Sequence, residues 1–259
     1  MMKNNISPCA RLLALVIVTL LLFDGIRSEA QDPYVNARSF AVLGATSVTS
    51  TGTTTVFGNL GVSPGLNITG VAVDTVTGGT IHVDDSLARQ ARSEATVAFM
   101  ALANLSPTLD LSGWNLGGLT LTAGVYYFST AAQLTGQLTL SGPGDFVFQI
   151  GSSFTMASFS SIRLVNSASA SNIYFDVGGS ATLGASSDFS GTILSFGSVA
   201  LNDGASVHGR VISLTDTVTL NRNTITNPDV VPEPNSLFLL ISGAIGLAFM
   251  QRKAAKRRS

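Results

Sequence analysis

Lysine is missing from the body of this chain: it occurs only at positions 3, 253 and 256, and charged residues of all kinds make up 11% of 259. Between Gln31 and Val231 six arginines stand against twelve acids, which leaves that stretch near −6. A surface so poor in cations excludes a nucleic-acid partner, whose phosphates would have to be neutralised. Cysteine is almost as scarce. The single Cys9 precedes an N-terminal apolar run, so the body has no disulfide and must be held by packing alone. With two histidines, His82 and His208, far apart in sequence and no thiol, a zinc site has few possible ligands, and neither metal nor cofactor is expected. No phosphate loop, dinucleotide fingerprint or G-x-S-x-G elbow is present, so the chain reads as no enzyme. A disordered chain would be charged and poor in β-branched residues; this one is the reverse.

What the chain does have is an internal repeat. Leu183, Phe189, Gly191, Ile193 and Ser195 recur as Leu201, Val207, Gly209, Val211 and Ser213, each eighteen residues on. A period that short suits three short strands and tight corners rather than helices. Phe175 lies eighteen residues before Ile193, and Phe146–Ile150 repeats the alternation of Ile173–Val177 twenty-seven residues earlier, which predicts a corner insertion around Arg163 to Ala170. Phe148, Phe175, Ile193 and Val211 are expected inside. The reading is mainly β: a three-sided β-solenoid with one long helix. Asp84 or Asp85 caps that helix, predicted over 84–105, and Leu87, Ala91, Ala95, Ala98, Leu102 and Leu105 form its apolar stripe. Val147, Tyr174, Leu194 and Ile212 would face outward, and the helix is expected to cover them.

Three segments follow from composition. Residues 1–30 carry Lys3 and Arg11, an apolar run from Leu12 to Phe23 and Ser28-Glu29-Ala30, the order of an export signal. Residues 31–230 are the body. Residues 231–259 hold Pro232-Glu233-Pro234, an apolar run over 237–250 and an arginine-rich tail. That order resembles the PEP-CTERM sorting signal of Gram-negative bacteria. The resemblance implies transient membrane insertion through 237–250, an exosortase as partner during export, and a secreted or cell-surface protein.

The body alternates apolar residues with threonine. Thr120, Thr122, Thr139, Thr155, Thr182 and Thr219 are expected to stack as one exposed column, interrupted at Ala200. Phe40–Gly44, Gly58–Pro64, Leu121–Tyr126, Asn172–Val177, Phe189–Ser195, Val207–Val211 and Val218–Thr226 make the body resemble the bacterial and fungal ice-binding (antifreeze-type) family. The resemblance implies a discontinuous right-handed β-solenoid, in which the N-terminal segment joins coils made by the C-terminal part and a long helix lies alongside. It also implies an ice crystal surface as partner. The family's ice face carries Thr, a small residue, any residue, then Thr or Asn. The matching stretches here are Ala185-Ser186-Ser187-Asp188 and Asp203-Gly204-Ala205-Ser206, so the motif face comprises Ala185, Ser187, Asp188, Ser190, Asp203, Ser206, His208 and Thr224. The threonine column is the alternative face. Two other readings stand beside ice binding. One is a structural protein of the extracellular matrix or cell surface that contacts polysaccharide. The other is a glycan-processing solenoid built on Asp188, Asp203, His208 and Arg210.

Overall fold

The computed structural model describes residues 35–230. The predicted leader and the 231–259 segment, with Pro232, Glu233 and Pro234, lie outside the described residues. Among the described residues no helix is long and apolar enough to cross a membrane.

Among the described residues twenty-two strands, all paired in parallel, form a fifteen-stranded and a seven-stranded sheet. The larger sheet is two rows that share the long strands Asp188–Ser195 and Ser206–Ser213. These strands bend at Gly191 (φ 130°) and Gly209 (φ 155°). A Cβ on Gly209 would lie 1.7 Å from the Gly191 carbonyl oxygen, so stacked turns can approach here only without side chains. Each turn of chain thus lays one strand in each of three rows. The eighteen-residue repeat is this stacking: Phe189 pairs with Val207, Ile193 with Val211 and Ser195 with Ser213.

Between the seven-stranded row and the next, every turn is cornered by one left-handed residue. In stacking order these are Gly118, Gly136, Phe159, Ser186, Gly204, Arg222, Gly52 and Gly70, all with φ between 51° and 95°. Phe159, Ser186 and Arg222 stand where glycine would be relaxed, which hides the corner from a reading based on glycine.

The chain order of the stack is broken. Ser47–Thr51 pairs with Val218–Asn221, Thr55–Phe57 with Thr224–Thr226, and Phe40–Gly44 with Ser206–Ser213. The N-terminal turns therefore extend the stack beyond the last C-terminal one. Inside, Tyr126, Phe148, Phe175, Ile193, Val211, Val42 and Leu60 succeed one another in register, all buried. Phe148 and Phe175 stack with centroids 4.4 Å apart.

Helix α1 (Val35–Ser39) leads into the first strand, and α2 (Ser86–Ala103) covers one row of the larger sheet. Asp85 caps α2 by accepting from the Ala88 N–H at 2.9 Å. Ala88, Ala91 and Ala95 are buried against Phe40, Leu43, Leu194 and Ile212. Glu94 ties the helices together, accepting from the Asn36 and Ala37 N–H groups at 2.9 and 3.0 Å. Three expectations are corrected. Leu105 lies beyond the helix and is exposed, because α2 closes at Asn104. Val147 and Tyr174 occupy one outward column with Thr192, whereas Leu194 and Ile212 share the next with Gln149 and Asp176. Arg163 belongs to the strand Ser161–Val165 rather than to an insertion; the extra residues begin at the left-handed pair Asn166 and Ser167.

Candidate functional site

The outward side of the seven-stranded sheet carries Gln133, Thr155, Thr182, Ala200, Thr219, Thr49 and Thr69, in register from strand to strand. From Gln133 to Thr219 each is flanked along its strand by buried apolar residues, such as Phe154 and Met156 around Thr155 and Ala181 and Leu183 around Thr182, whereas Thr49 has Val48 and the half-buried Ser50 beside it. That packing holds the backbone rigid beneath the column. Two residues earlier on the same side stand Ser153, Ser180, Ser198, Thr217, Ser47 and Asn67. The Ser198 hydroxyl donates to Ser180 across the strands at 3.1 Å. Neither column contains a charge.

The expected threonine column is therefore half right. Thr155, Thr182 and Thr219 come together, but Thr120 pairs with Thr139, and Thr139 with Arg163, in the other sheet. Thr122 follows the strand Thr120–Leu121, and its carbonyl accepts from the Tyr126 hydroxyl. The Leu-Thr-Leu pattern occurs on both sides of the left-handed corner, so alternation alone does not say which row a threonine joins. Thr139 follows its corner at Gly136, whereas Thr155 precedes its corner at Phe159. Sequence reading missed Thr49 and Thr69. The triplets Ser47-Val48-Thr49 and Asn67-Ile68-Thr69 match Ser153-Phe154-Thr155, Ser180-Ala181-Thr182 and Thr217-Val218-Thr219, and that recurrence was the available signal.

The motif positions lie on the larger sheet and at the corner. Asp188, Ser206 and Thr224 stand side by side, as do Ser190 and His208. The Ser206 hydroxyl donates to Asp188 at 2.9 Å. Ser187, however, is turned inward, its hydroxyl donating to the Gly184 carbonyl at 2.7 Å, and Ser190 is buried too. Ala185 sits half-buried in the turn, and its N–H donates to Ser158. Asp203 is held by Arg222 through two bonds of 2.5 and 2.6 Å, and that guanidinium keeps its carboxyl below the usual range. These eight residues form no single flat array.

The glycan-processing constellation is also divided. Arg210 lies on the row under α2, almost fully buried, bonded to Asp229, to the Thr192 hydroxyl at 2.8 Å and to the Arg38 carbonyl at 3.2 Å. Asp188 and His208 sit beyond the bend in the neighbouring row. A cleft of about 270 Å³, lined by Ala95, Ala98, Leu102, Tyr174, Leu194 and Arg210, also belongs to the helix-covered row. Among the described residues no three His, Cys, Asp or Glu side chains converge as a metal site would require.

Comparison with known proteins points to the same face-bearing scaffold. A model of the family described as ice-binding-like matches residues 42–226. An ice-binding protein of Nostoc sp. (strain HG1) is 41% identical over 93% of this chain and 96% of its own length. One from Flavobacterium frigoris (strain PS1) is 33% identical over 74% and 75%. The crystal structure of an ice-binding protein from the Antarctic ascomycete Antarctomyces psychrotrophicus superposes with a TM-score of 0.70 at 35% identity, covering 74% of this chain and 96% of that one. An Arctic yeast ice-binding protein, solved as a basis for antifreeze activity, gives 0.71 at 30% identity over 78% and 95%. The chain belongs to the ice-binding-like protein family.

Proposed function

We propose that this protein adsorbs to ice through the outward side of its seven-stranded sheet, inhibiting recrystallisation with weak thermal hysteresis. The observation that carries the reading is the uncharged, in-register column from Gln133 to Thr69, filled by threonine in five of its seven places. Parallel strands set neighbours about 4.8 Å apart, and same-side residues along a strand about 6.6–7 Å apart, which makes a two-dimensional lattice of methyls and hydroxyls. Threonine presents both groups on a side chain stiff at χ1. A charge would hold its own hydration shell against that lattice. The motif row is broken in that way by Asp188 and, further along, by Arg163. The scaffold is read as a discontinuous, right-handed, three-sided β-solenoid, the hand following the general rule for parallel crossovers.

The same reading makes the protein exported and secreted or held at the surface of a Gram-negative cell. The leader-like order of residues 1–30 and the Pro232-Glu233-Pro234, apolar, basic order of the last segment support it. An exosortase would act on that segment, with transient insertion through 237–250; contact with extracellular polysaccharide follows from such a location.

The test is a recrystallisation assay on the purified body with three variants. Thr182→Lys and Thr219→Lys are expected to abolish inhibition, and Asp188→Thr to leave it unchanged. If Asp188→Thr raises activity while Thr182→Lys leaves it intact, the motif row is the ice face. If the unaltered protein shows no activity, the matrix reading replaces this one.

A further inference from the structure

The threonine column crosses a seam. Thr219 comes from near the end of the chain and Thr49 from near its beginning, and their strands meet only by pairing. Hydrophobic alternation fixes half of that pairing. A slip of one residue would turn Thr49 inward and Val48 outward, which burial forbids. A slip of two residues escapes this control. Val48 and Ser50 would still point inward, Thr49 and Thr51 outward, and Thr51 would face Thr219 in place of Thr49. Something other than apolar burial has to choose between these registers.

A buried polar cluster sits at that point. Asn223 is 1% exposed and Thr54 2%, at the corner where the seven-stranded row turns into the next. The Asn223 side-chain amide donates to the Asn202 and Ala205 carbonyls at 2.8 and 3.0 Å, and its oxygen accepts from the Asn221 N–H at 2.6 Å. Its backbone N–H donates to the Thr54 hydroxyl oxygen at 3.2 Å, and its carbonyl accepts from the Thr55 N–H at 2.9 Å. Thr54 and Ser50 share a hydroxyl bond of 2.8 Å. One side chain therefore reads the preceding turn and its own, while its backbone reads the turn across the seam. At the equivalent corner of the preceding turn the residue is Ala205, which makes no such contact. Moving the N-terminal strands by two residues would carry Thr54 away and leave buried donors and acceptors unpaired, a penalty an apolar corner would not impose. Buried polar residues select one register among several apolar alternatives in other assemblies by the same logic.

We infer that Asn223, acting with Thr54, is the positioning pair that aligns the N-terminal threonines with the C-terminal ones. Its bearing on ice adsorption rests on the assignment of the threonine column as the ice face. The pair touches no ice; it sets where Thr49 and Thr69 stand relative to Thr219 and Thr182.

The test uses the full chain with Cys9→Ser, in which introduced cysteines are the only thiols. Thr49→Cys with Thr219→Cys reports the observed register, and Thr51→Cys with Thr219→Cys reports the slipped one, because only directly paired residues come within disulfide reach. The otherwise unaltered chain should crosslink the first pair alone. Asn223→Ala and the shape-preserving Thr54→Val should each lose most of that crosslink and gain the second. Without reporter cysteines, both should lose recrystallisation inhibition while circular dichroism shows the β structure kept. Thr54→Val carries the test if Asn223→Ala does not fold. Retention of only the first crosslink in a folded Asn223→Ala or Thr54→Val chain overturns the inference. A shift in crosslink with inhibition unaltered upholds the register pin and refutes the threonine face instead.

Discussion

Asp176 is the residue whose position most needs explaining. It is 4% exposed in the outward column beneath α2, between Gln149 and Leu194, and its Oδ1 has no hydrogen-bond partner. Burial pushes its carboxyl up to about 7. The folded chain then keeps a proton that the unfolded chain has released at lower pH. The contribution of this carboxyl to stability is therefore most favourable below pH about 4, falls by up to about 1.4 kcal/mol per unit as pH rises toward 7, and levels off above it. Asp176→Asn is expected to flatten this slope and to be the more stable form in alkaline solution. Urea midpoints measured across the range decide it; parallel profiles for the two proteins would sink the assignment. The sequence shows the alternation of Ile173–Val177 and a helix to cover its outward side, but not that the helix would seal Asp176 as well, so a buried acid there could not be read. The threonines were legible as strand residues for the same reason that their row was not: alternation reports sidedness, whereas the row depends on corners turned by Phe159, Ser186 and Arg222.

At the scale of elements, α2 is held by close approach more than by large side chains. Ala88, Ala91 and Ala95 lie against the sheet with almost no exposure, so the helix rides low over Leu43, Leu194 and Ile212. Ala91→Leu should overpack this contact and cost about 1–3 kcal/mol, seen as a lower melting temperature. The far end is fastened differently. The Gln149 amide donates to the Leu102 and Leu105 carbonyls at 2.7 and 2.9 Å, tying the last turn of the helix and the residue just beyond it to the sheet. Gln149→Leu should speed hydrogen exchange across residues 99–105 while leaving 88–95 protected; uniform exchange along α2 would contradict this division. The helix was legible from its cap and its 3.6-residue stripe, and its start fell within two residues of the observed one. Its role as a clamp was not, because Glu94 looks in sequence like any solvated acid on a helix.

At the scale of the whole molecule, the interior ladder from Tyr126 to Leu60 is continuous although the chain that builds it is not. The eighteen-residue period disclosed the turns that follow one another in sequence. It could not disclose the seam, because pairing of Val42 with Val211 or Thr49 with Thr219 leaves no periodic trace. Deleting residues 36–83 should bare the open edges of Ser206–Ser213, Val218–Asn221 and Thr224–Thr226. Unpaired parallel edges of that length seed association between chains. The truncated protein is expected to aggregate more than the intact one, which light scattering would show.

The broken order of the stack also governs when the molecule can come into being. Synthesis delivers residues 40–62 first, yet the strands they lie against, 206–213 and 218–226, are delivered last. The earliest strands can pair at once with their own successors, Phe40–Gly44 with Asn59–Val62, but their other edge has no neighbour until nearly the whole body has been made, and closing so long a loop is slow. Translation alone therefore cannot finish the fold turn by turn. A chain that stays open until its tail arrives would suit the proposed export, because a secretion channel passes unfolded polypeptide and the finished shape could then be assembled on the far side.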